Sequence, residues 1–392
     1  MPDSDYLSIY IHFPFCVRKC LYCDFASEDW GLERIDRWTD ALILEINLNK
    51  ERLIHSPKLY TLYIGGGSPN LVGGDNFYRI VKTLNDYFDF DTLREFTVEV
   101  NPGGTSVELL NTFRNAGVNR ISIGCQSFID GELKTLERIH SVDDIVRLLE
   151  QVKSVGIPQR SLDLIFGIPG QTIESWKNSL ESAISYNVEH LSLYNLIYEE
   201  GTPLSDLRSK GVVSPVEEEQ EWLMYDLAHK VLEKAGFVHY EISNWAKPDY
   251  MAVHNSIYWS GGKYLGFGPS AHSFDGENRW WNCRNVDTYI NFLKNDKLPI
   301  TGSEKLSVKN KKTEYFLLGL RTQTGIEISR FESVTGMEFI DAHKMLIGHL
   351  VGKIEGEYGY IEGNYFRLTH KGWFLCDYIT GKLLTLIEER KP

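Results

Sequence analysis

The chain has 392 residues, 42% hydrophobic and 24% charged, with a formal net charge of −13. That length supports a large core and two or so domains, while the acidic balance argues against a general nucleic-acid binder, whose surface is usually basic. No stretch approaches the roughly 20 uninterrupted apolar residues that span a bilayer, and the acidic opening Met1-Pro2-Asp3-Ser4-Asp5 is no secretory signal. A cytoplasmic protein that is not integral to the membrane is expected.

Residues 7–13 read as a strand, and a loop carrying Cys16, Cys20 and Cys23 follows it. Three thiols this close can wrap one thiophilic centre, and thiolates select iron–sulfur clusters, zinc or Cu(I). A structural zinc or a cubane wants four ligands. Here the local set stops at three, because Asp24 and Phe25 come next. A corner left open is where an exogenous ligand binds. Zinc completed by a distant residue, with His12 the nearest candidate, stays open as the alternative. The other cysteines, Cys125, Cys283 and Cys376, lie scattered in apolar surroundings, which suits buried inert thiols in a reducing compartment.

Helical and strand-like stretches then alternate. The periodicity predicts a long helix over 32–54, with Leu42, Ile46 and Leu53 on its apolar side, and a strand over 59–64 leading into Gly65-Gly66-Gly67-Ser68-Pro69-Asn70. A helix over 75–88 has Asp75 as its expected N-cap. Strands at 95–100, 119–124, 161–166 and 190–194 are separated by helices at 106–116, 143–155 and 172–186. A helix over 217–235 precedes a possible seventh strand at 237–241. Such alternation implies βα units and a parallel sheet.

Strand side chains alternate between faces, and each predicted strand has one oily and one polar or small face. The polar sets are Ser8, Tyr10, His12; Thr61, Tyr63, Gly65; Thr97, Glu99, Asn101; Ser122, Gly124, Gln126; Ser161, Asp163; and His190, Ser192, Tyr194. A closed barrel fills its interior with branched aliphatics, which these residues cannot do. The expected fold is α/β, a partial open (β/α)6 TIM-like barrel whose lumen holds polar ligands. Its motifs fall at the C-terminal ends of the strands, where barrel active sites are built.

After Pro248 the chain turns aromatic and glycine-rich, through His254-Asn255-Ser256-Ile257-Tyr258-Trp259, Gly266 to His272, and Trp280-Trp281. This reads as loops and short strands packed over the barrel. His254 and His272 are candidate metal ligands, weighed against hydrogen-bonded structural imidazoles. From Ser307 helical periodicity resumes (Leu317, Leu318, Leu320), with a hairpin at 358–368 and a terminal helix opened by Thr369 and His370. The predicted division is a barrel over 1–245, a covering and linking segment over 246–305, and a C-terminal α+β, winged-helix-like domain over 306–392.

The cysteine loop resembles that of the radical S-adenosylmethionine (SAM) proteins, where Cys-x3-Cys-x2-Cys binds a [4Fe–4S] cluster and leaves one iron for SAM. Nearly the whole chain resembles the oxygen-independent coproporphyrinogen III oxidase family, through Tyr10-Ile11-His12-Phe13-Pro14, Gly65 to Pro69, Val98 to Pro102, Ser122 to Phe128, Leu136 to His140, Asp163 to Thr172 and His239 to Asn244. The resemblance implies that Cys16, Cys20 and Cys23 hold the cluster and that Tyr10, Gly66 and Glu99 contact its SAM. It matches Tyr22, Gly67, Ser68, Gln126, Arg138 and Asp163 to a second SAM position. Ser68 replaces a commoner threonine and keeps the hydroxyl. Phe25 stands where the oxidase has a further cysteine, and the oxidase's longer N-terminal extension is lacking. Both features, with the Cys-Asp-Phe ending and His254-Asn255-x-x-Tyr258-Trp259, are similar to the HemW-type heme chaperone branch. That branch implies a cytoplasmic heme chaperone serving membrane-bound respiratory hemoproteins, as a possible homodimer, with His254 and then His272 the expected contacts to heme iron. Coproporphyrinogen decarboxylation, or another radical SAM reaction on a tetrapyrrole, is the enzymatic alternative.

Overall fold

Six strands with one oily face and one polar face align side by side in the computed structural model, which describes residues 6–54, 58–335, 338–339 and 357–389. They are β1 (Tyr6–Phe13), β2 (Lys58–Gly66), β3 (Glu95–Val100), β4 (Arg120–Gln126), β5 (Gln159–Phe166) and β6 (His190–Asn195). Neighbours in that order pair in parallel. Crossover helices α1 (Leu32–Leu48), α2 (Gly74–Asn85), α3 (Val107–Asn115), α4 (Val142–Val155) and α5 (Ile173–Ser185) pack on the oily side. There Ile9, Ile11, Leu62, Val98, Ile121 and Leu162 are buried, and Trp38 of α1 meets Phe13 edge-on at 5.1 Å.

Sequence sets the helix starts. Ser106, Ser141 and Thr172 each accept a hydrogen bond from a backbone N–H of the first turn, and Ser141–Asp144 and Thr172–Ser175 form reciprocal capping boxes, satisfying amides that the helix leaves unpaired. Two expectations shift. The helix expected over 32–54 breaks at Asn49, whose side chain donates to Glu45 O at 2.9 Å, and a short helix Lys50–Ile54 follows. Asp75 is not the cap of α2. Gly73, at φ +76°, is, and Asp75 lies in the first turn, where its charge complements the helix dipole.

The sheet does not stop at six strands. After α6 (Glu218–Lys234), β7 (Val238–Glu241) and β8 (Asn244–Ala246) add antiparallel at one edge, with β8 lying between β6 and β7. At the other edge, after α7 (Val253–Trp259), β9 (Tyr264–Phe267) pairs in parallel with β1. Then β10 (His272–Phe274), β11 (Asn278–Asn282) and β12 (Ile300–Lys305) continue antiparallel. The segment expected to pack over the barrel therefore extends its sheet.

Two buried carboxylates tie this late segment to early elements. Glu45 of α1 accepts from Gly268 N (2.8 Å), Asn282 Nδ2 (2.6 Å) and the Tyr289 hydroxyl (2.6 Å). Glu95 accepts from Val253 N (2.7 Å) and His254 N (3.2 Å). Close approach also demands glycine, because a Cβ on Gly268 (φ +95°) would lie 2.5 Å from His12 O.

Beyond α8 (Val286–Lys294), α9 (Val308–Gly319) leads to a small sheet of β13 (Ile326–Glu327), β14 (Gly359–Glu362) and β15 (Tyr365–Leu368). Thr369 caps α10 (His370–Phe374), and α11 (Cys376–Glu389) follows. The hairpin and terminal helices match expectation, while residues 340–356 of the winged-helix-like pattern lie outside the described residues. Phe316, Phe366 and Trp373 join the barrel's own hydrophobic core.

Candidate functional site

The cysteine loop leaves β1 at Phe13 and is held at its start. Phe15–Cys16 pairs with Glu28–Asp29, Trp30 N donates to Cys16 O at 3.1 Å and Cys23 N to Cys20 O at 3.2 Å. The glycine run after β2 packs directly on it: Gly67 N donates to Phe13 O (2.7 Å) and Ser68 N to Phe15 O (2.8 Å). A Cβ on Gly67 would sit 2.4 Å from Phe15 O, and one on Gly66 (φ +111°) 2.6 Å from the His12 ring. Gly67→Ala is thus expected to prise the run from the loop, costing ~1–3 kcal/mol as other overpacked sites do. A thermal melt of purified variant against wild type reads it; an unchanged midpoint would refute the tight fit.

All three loop thiols are half-buried. Burial raises Cys16 and Cys23, and the charges of the loop's other thiols add to the rise, so the three share one electrostatic neighbourhood. Among the described residues no three His, Cys, Asp or Glu side chains are gathered closely enough to hold a single metal ion. His12 is not a fourth ligand: Nδ1 pairs with the Tyr10 hydroxyl (2.9 Å) and Nε2 with Ala26 O (2.8 Å). Zinc draws its ligands to about 2.3 Å from one point, whereas a cubane takes one thiolate at each of several corners. Three spaced thiols with no fourth protein ligand among the described residues fit the cubane. Arg138 Nη1 donates to Cys20 Sγ at 3.2 Å, setting a guanidinium against the sulfur set.

The lumen beside this loop is polar, as the strand faces require. Glu99 is half-buried and accepts from the Tyr63 hydroxyl (2.6 Å) and Gly66 N (2.9 Å). Burial pushes its carboxyl up to about 7, against the pull of those two donors. Gly65 makes room for it, since a Cβ there would lie 2.8 Å from the Glu99 carboxyl carbon. Asp163 accepts from Ser122 at 3.3 Å, and burial lifts it to about 6, opposed by hydrogen bonds from Ser192 and Ser122. A carboxylate has about four acceptor positions, so both retain capacity for a ligand's ammonium or ribose hydroxyls.

Gln126, at the end of β4, is left-handed at φ +70°. Such backbone is uncommon for a side-chain-bearing residue and clusters at ligand sites. Next to it Gly124 lets Arg138 reach the Gly124 carbonyl at 3.0 Å, while Arg138 Nε is buried without a hydrogen-bond partner among the described residues. Ser68 Oγ accepts from Asn101 Nδ2 at 2.8 Å. Tyr22 packs on a small apolar cluster that includes Leu136, Ile168 and Leu204, and burial raises its phenol. Tyr63 and Asn101 act in this network though only their strand faces pointed to them.

The two candidate iron ligands part company. His254 is buried, with Nδ1 paired to Thr61 Oγ1 (2.8 Å) and Nε2 to the Tyr258 hydroxyl (2.7 Å), and burial lowers it to about 3. Both ring nitrogens are engaged, so it has no lone pair to offer iron in this arrangement. It is the hydrogen-bonded structural imidazole. His272 is exposed and stacks on Trp281 at 5.6 Å. Strand register places both on the lumen-facing side that carries Ser8 and Tyr264.

A model of the radical SAM superfamily matches residues 10–183. The heme chaperone HemW of Mycobacterium tuberculosis is 35% identical over 387 residues, 98% of this chain and 96% of that one. HemW of Bacillus subtilis is 34% identical over 380 residues, 96% and 99% of the two chains, and that of Escherichia coli 36% over 267 residues, 68% and 69%. Among solved structures, coproporphyrinogen III oxidase (HemN) from Escherichia coli superposes with a TM-score of 0.82, covering 97% of this chain and 91% of that one at 22% identity, which shows the shared fold.

Proposed function

The chain belongs to the HemW family of heme chaperones, within the radical SAM superfamily, and from that membership we propose that it binds heme and hands it to acceptor hemoproteins. The likeness over nearly the full length to relatives named as heme chaperones carries this reading. Phe25, 64% exposed where the oxidase pattern has another cysteine, supports it.

Cys16, Cys20 and Cys23 hold the [4Fe–4S] cluster, which supplies an iron corner for the sulfonium cofactor. Tyr10, Gly66 and Glu99 receive that SAM molecule. Tyr22, Gly67, Ser68, Gln126, Arg138 and Asp163 line the adjoining part of the lumen and hold a second SAM. Glu99 positions a donor-rich ligand by accepting from it, and the Gly66–Gly67 backbone admits it closely because no side chain intervenes. No helix among the described residues is long and apolar enough to cross a membrane. The protein works in the cytoplasm and reaches membrane-bound respiratory acceptors by docking, with two chains pairing during delivery.

Anaerobically reconstituted protein given SAM and reductant is expected to take up heme stoichiometrically, followed by absorbance titration, and to leave coproporphyrinogen III unchanged. Turnover to protoporphyrinogen, followed by fluorescence after oxidation, would overturn the chaperone reading in favour of an oxidase.

A further inference from the structure

Three consecutive residues, Leu136, Glu137 and Arg138, meet the cysteine loop side by side. They follow the short helix Asp130–Thr135. Glu137 is left-handed at φ +52° and Arg138 N closes onto Leu133 O at 2.9 Å, so the helix ends in a tight reversal. Leu136 packs in the apolar cluster that takes up Leu21 and Tyr22, Glu137 pairs with Arg18, and Arg138 Nη1 donates to Cys20 Sγ at 3.2 Å. One turn thereby grips the loop at residues 18 to 22.

Arg138 does not owe its position to the thiol. Its Nη2 donates to Gly124 O at 3.0 Å and to Asn101 Oδ1, acceptors that belong to β4 and to the residue just past β3. Gly124 leaves the room for this, since a Cβ there would lie 3.4 Å from Nη2. The guanidinium is planar and always charged, so two fixed acceptors on one terminal nitrogen aim the other at the sulfur. A cation anchored in this way keeps its place when Cys20 takes up iron.

The loop's own cations are placed differently. Lys19 is exposed and donates to Phe25 O at 3.0 Å, and Arg18 is engaged by Glu137 at the surface, where water and salt screen both. Arg138 is half-buried, with Nε out of solvent. Its field reaches the loop's first thiol as well, drawing Cys16 down against the stronger upward push of burial. Hydrogen bonds to the sulfurs and local net charge set the potential of an iron–sulfur cluster. Reduction adds one negative charge to the sulfur set, and a cation fixed on one of those sulfurs favours the reduced form.

We propose that Arg138 is a positioning residue for the cluster: it holds the Cys20 sulfur and raises the cluster's reduction potential, in addition to the lumen contact matched to it above. The assignment rests on the reading of Cys16, Cys20 and Cys23 as cluster ligands.

Anaerobically reconstituted full-length protein, titrated with dithionite and followed by electron paramagnetic resonance, tests it without SAM or heme. Arg138→Gln should keep about four iron per chain and shift the one-electron equilibrium at least about tenfold toward the oxidised cluster, a midpoint about 59 mV lower. Arg138→Lys, which keeps the charge and loses the fork, should fall between that variant and wild type. Lys19→Gln, at an exposed site of the same loop, should leave the midpoint where it is. An unchanged midpoint in Arg138→Gln overturns the assignment, as does an equal shift in Lys19→Gln. If Arg138→Gln fails to fold or to hold iron, Arg138→Lys decides: a midpoint below wild type supports the assignment and an unchanged one overturns it. Wild type that takes up no four-iron cluster would instead overturn the cluster reading itself.

Discussion

Cys20→Ala is expected to abolish the cluster: iron should fall from about four per chain to near zero, because a cubane left with two protein thiolates is not retained. The iron–sulfur absorbance should vanish with it. The fold should survive. Cys20 is half-buried in a loop, and truncating one such side chain typically costs ~1 kcal/mol or less, so the melting midpoint should move by only a few degrees. Cys16→Ala and Cys23→Ala should behave alike, since the three thiols share one electrostatic neighbourhood. Cys125, Cys283 and Cys376 are buried elsewhere and serve as controls: their alanine variants should keep full iron content. Wild-type iron in Cys20→Ala, measured colorimetrically after anaerobic reconstitution, would sink the assignment.

Glu99→Gln should weaken SAM binding by about 10- to 100-fold, the equivalent of one or two hydrogen bonds to a charged acceptor at ~1.5–3 kcal/mol. The amide keeps the shape and a single acceptor oxygen but loses the charge. A pH series sharpens the test. Glu99 lies among Tyr63, Tyr10, Tyr194 and Asp163, none of them cationic, and burial holds it near 7. If the ionised carboxylate receives the ligand, wild-type affinity should rise about tenfold per pH unit up to roughly pH 7 and then level off. The Gln variant should lack that rise; calorimetry at several pH values would show it.

Stability runs the other way. A carboxyl whose folded pKa lies above its unfolded value contributes fully below the unfolded value and loses that contribution as pH rises through the folded one. Melting of the ligand-free protein, measured against the Glu99→Gln variant, should therefore lose its advantage as pH climbs from about 4.5 to about 7; Asp163, Glu45 and Glu241 act with the same sign, while His12, His140, His190, His239 and His254, lowered by burial, act with the opposite one.

Much of this was legible before any coordinates. Period-two alternation separates Ile9 and Ile11 from Ser8 and Tyr10, and the sheet buries the first pair against helices as that pattern demands. The same alternation puts Glu99 and Asp163 on the lumen side, and each lies in a polar network there. What failed to show was whatever depends on distant partners. Nothing local in Tyr264 to Phe267 says that it will pair with β1, since a short apolar run fits a cover as well as a strand. His254 looked like a ligand because an isolated histidine carries no record of the Thr61 and Tyr258 hydroxyls that occupy it.

Glu45 has a consequence for how the molecule is made. Its three donors come from residues 268–289, so during synthesis the first helix carries an unanswered acid until most of the polypeptide has left the ribosome. Glu95, waiting for residues 253 and 254, imposes the same delay. A nascent chain halted near residue 245 would have all six parallel strands and yet none of the donors that residues 253–289 bring to these two carboxylates, so the late segment completes the early one.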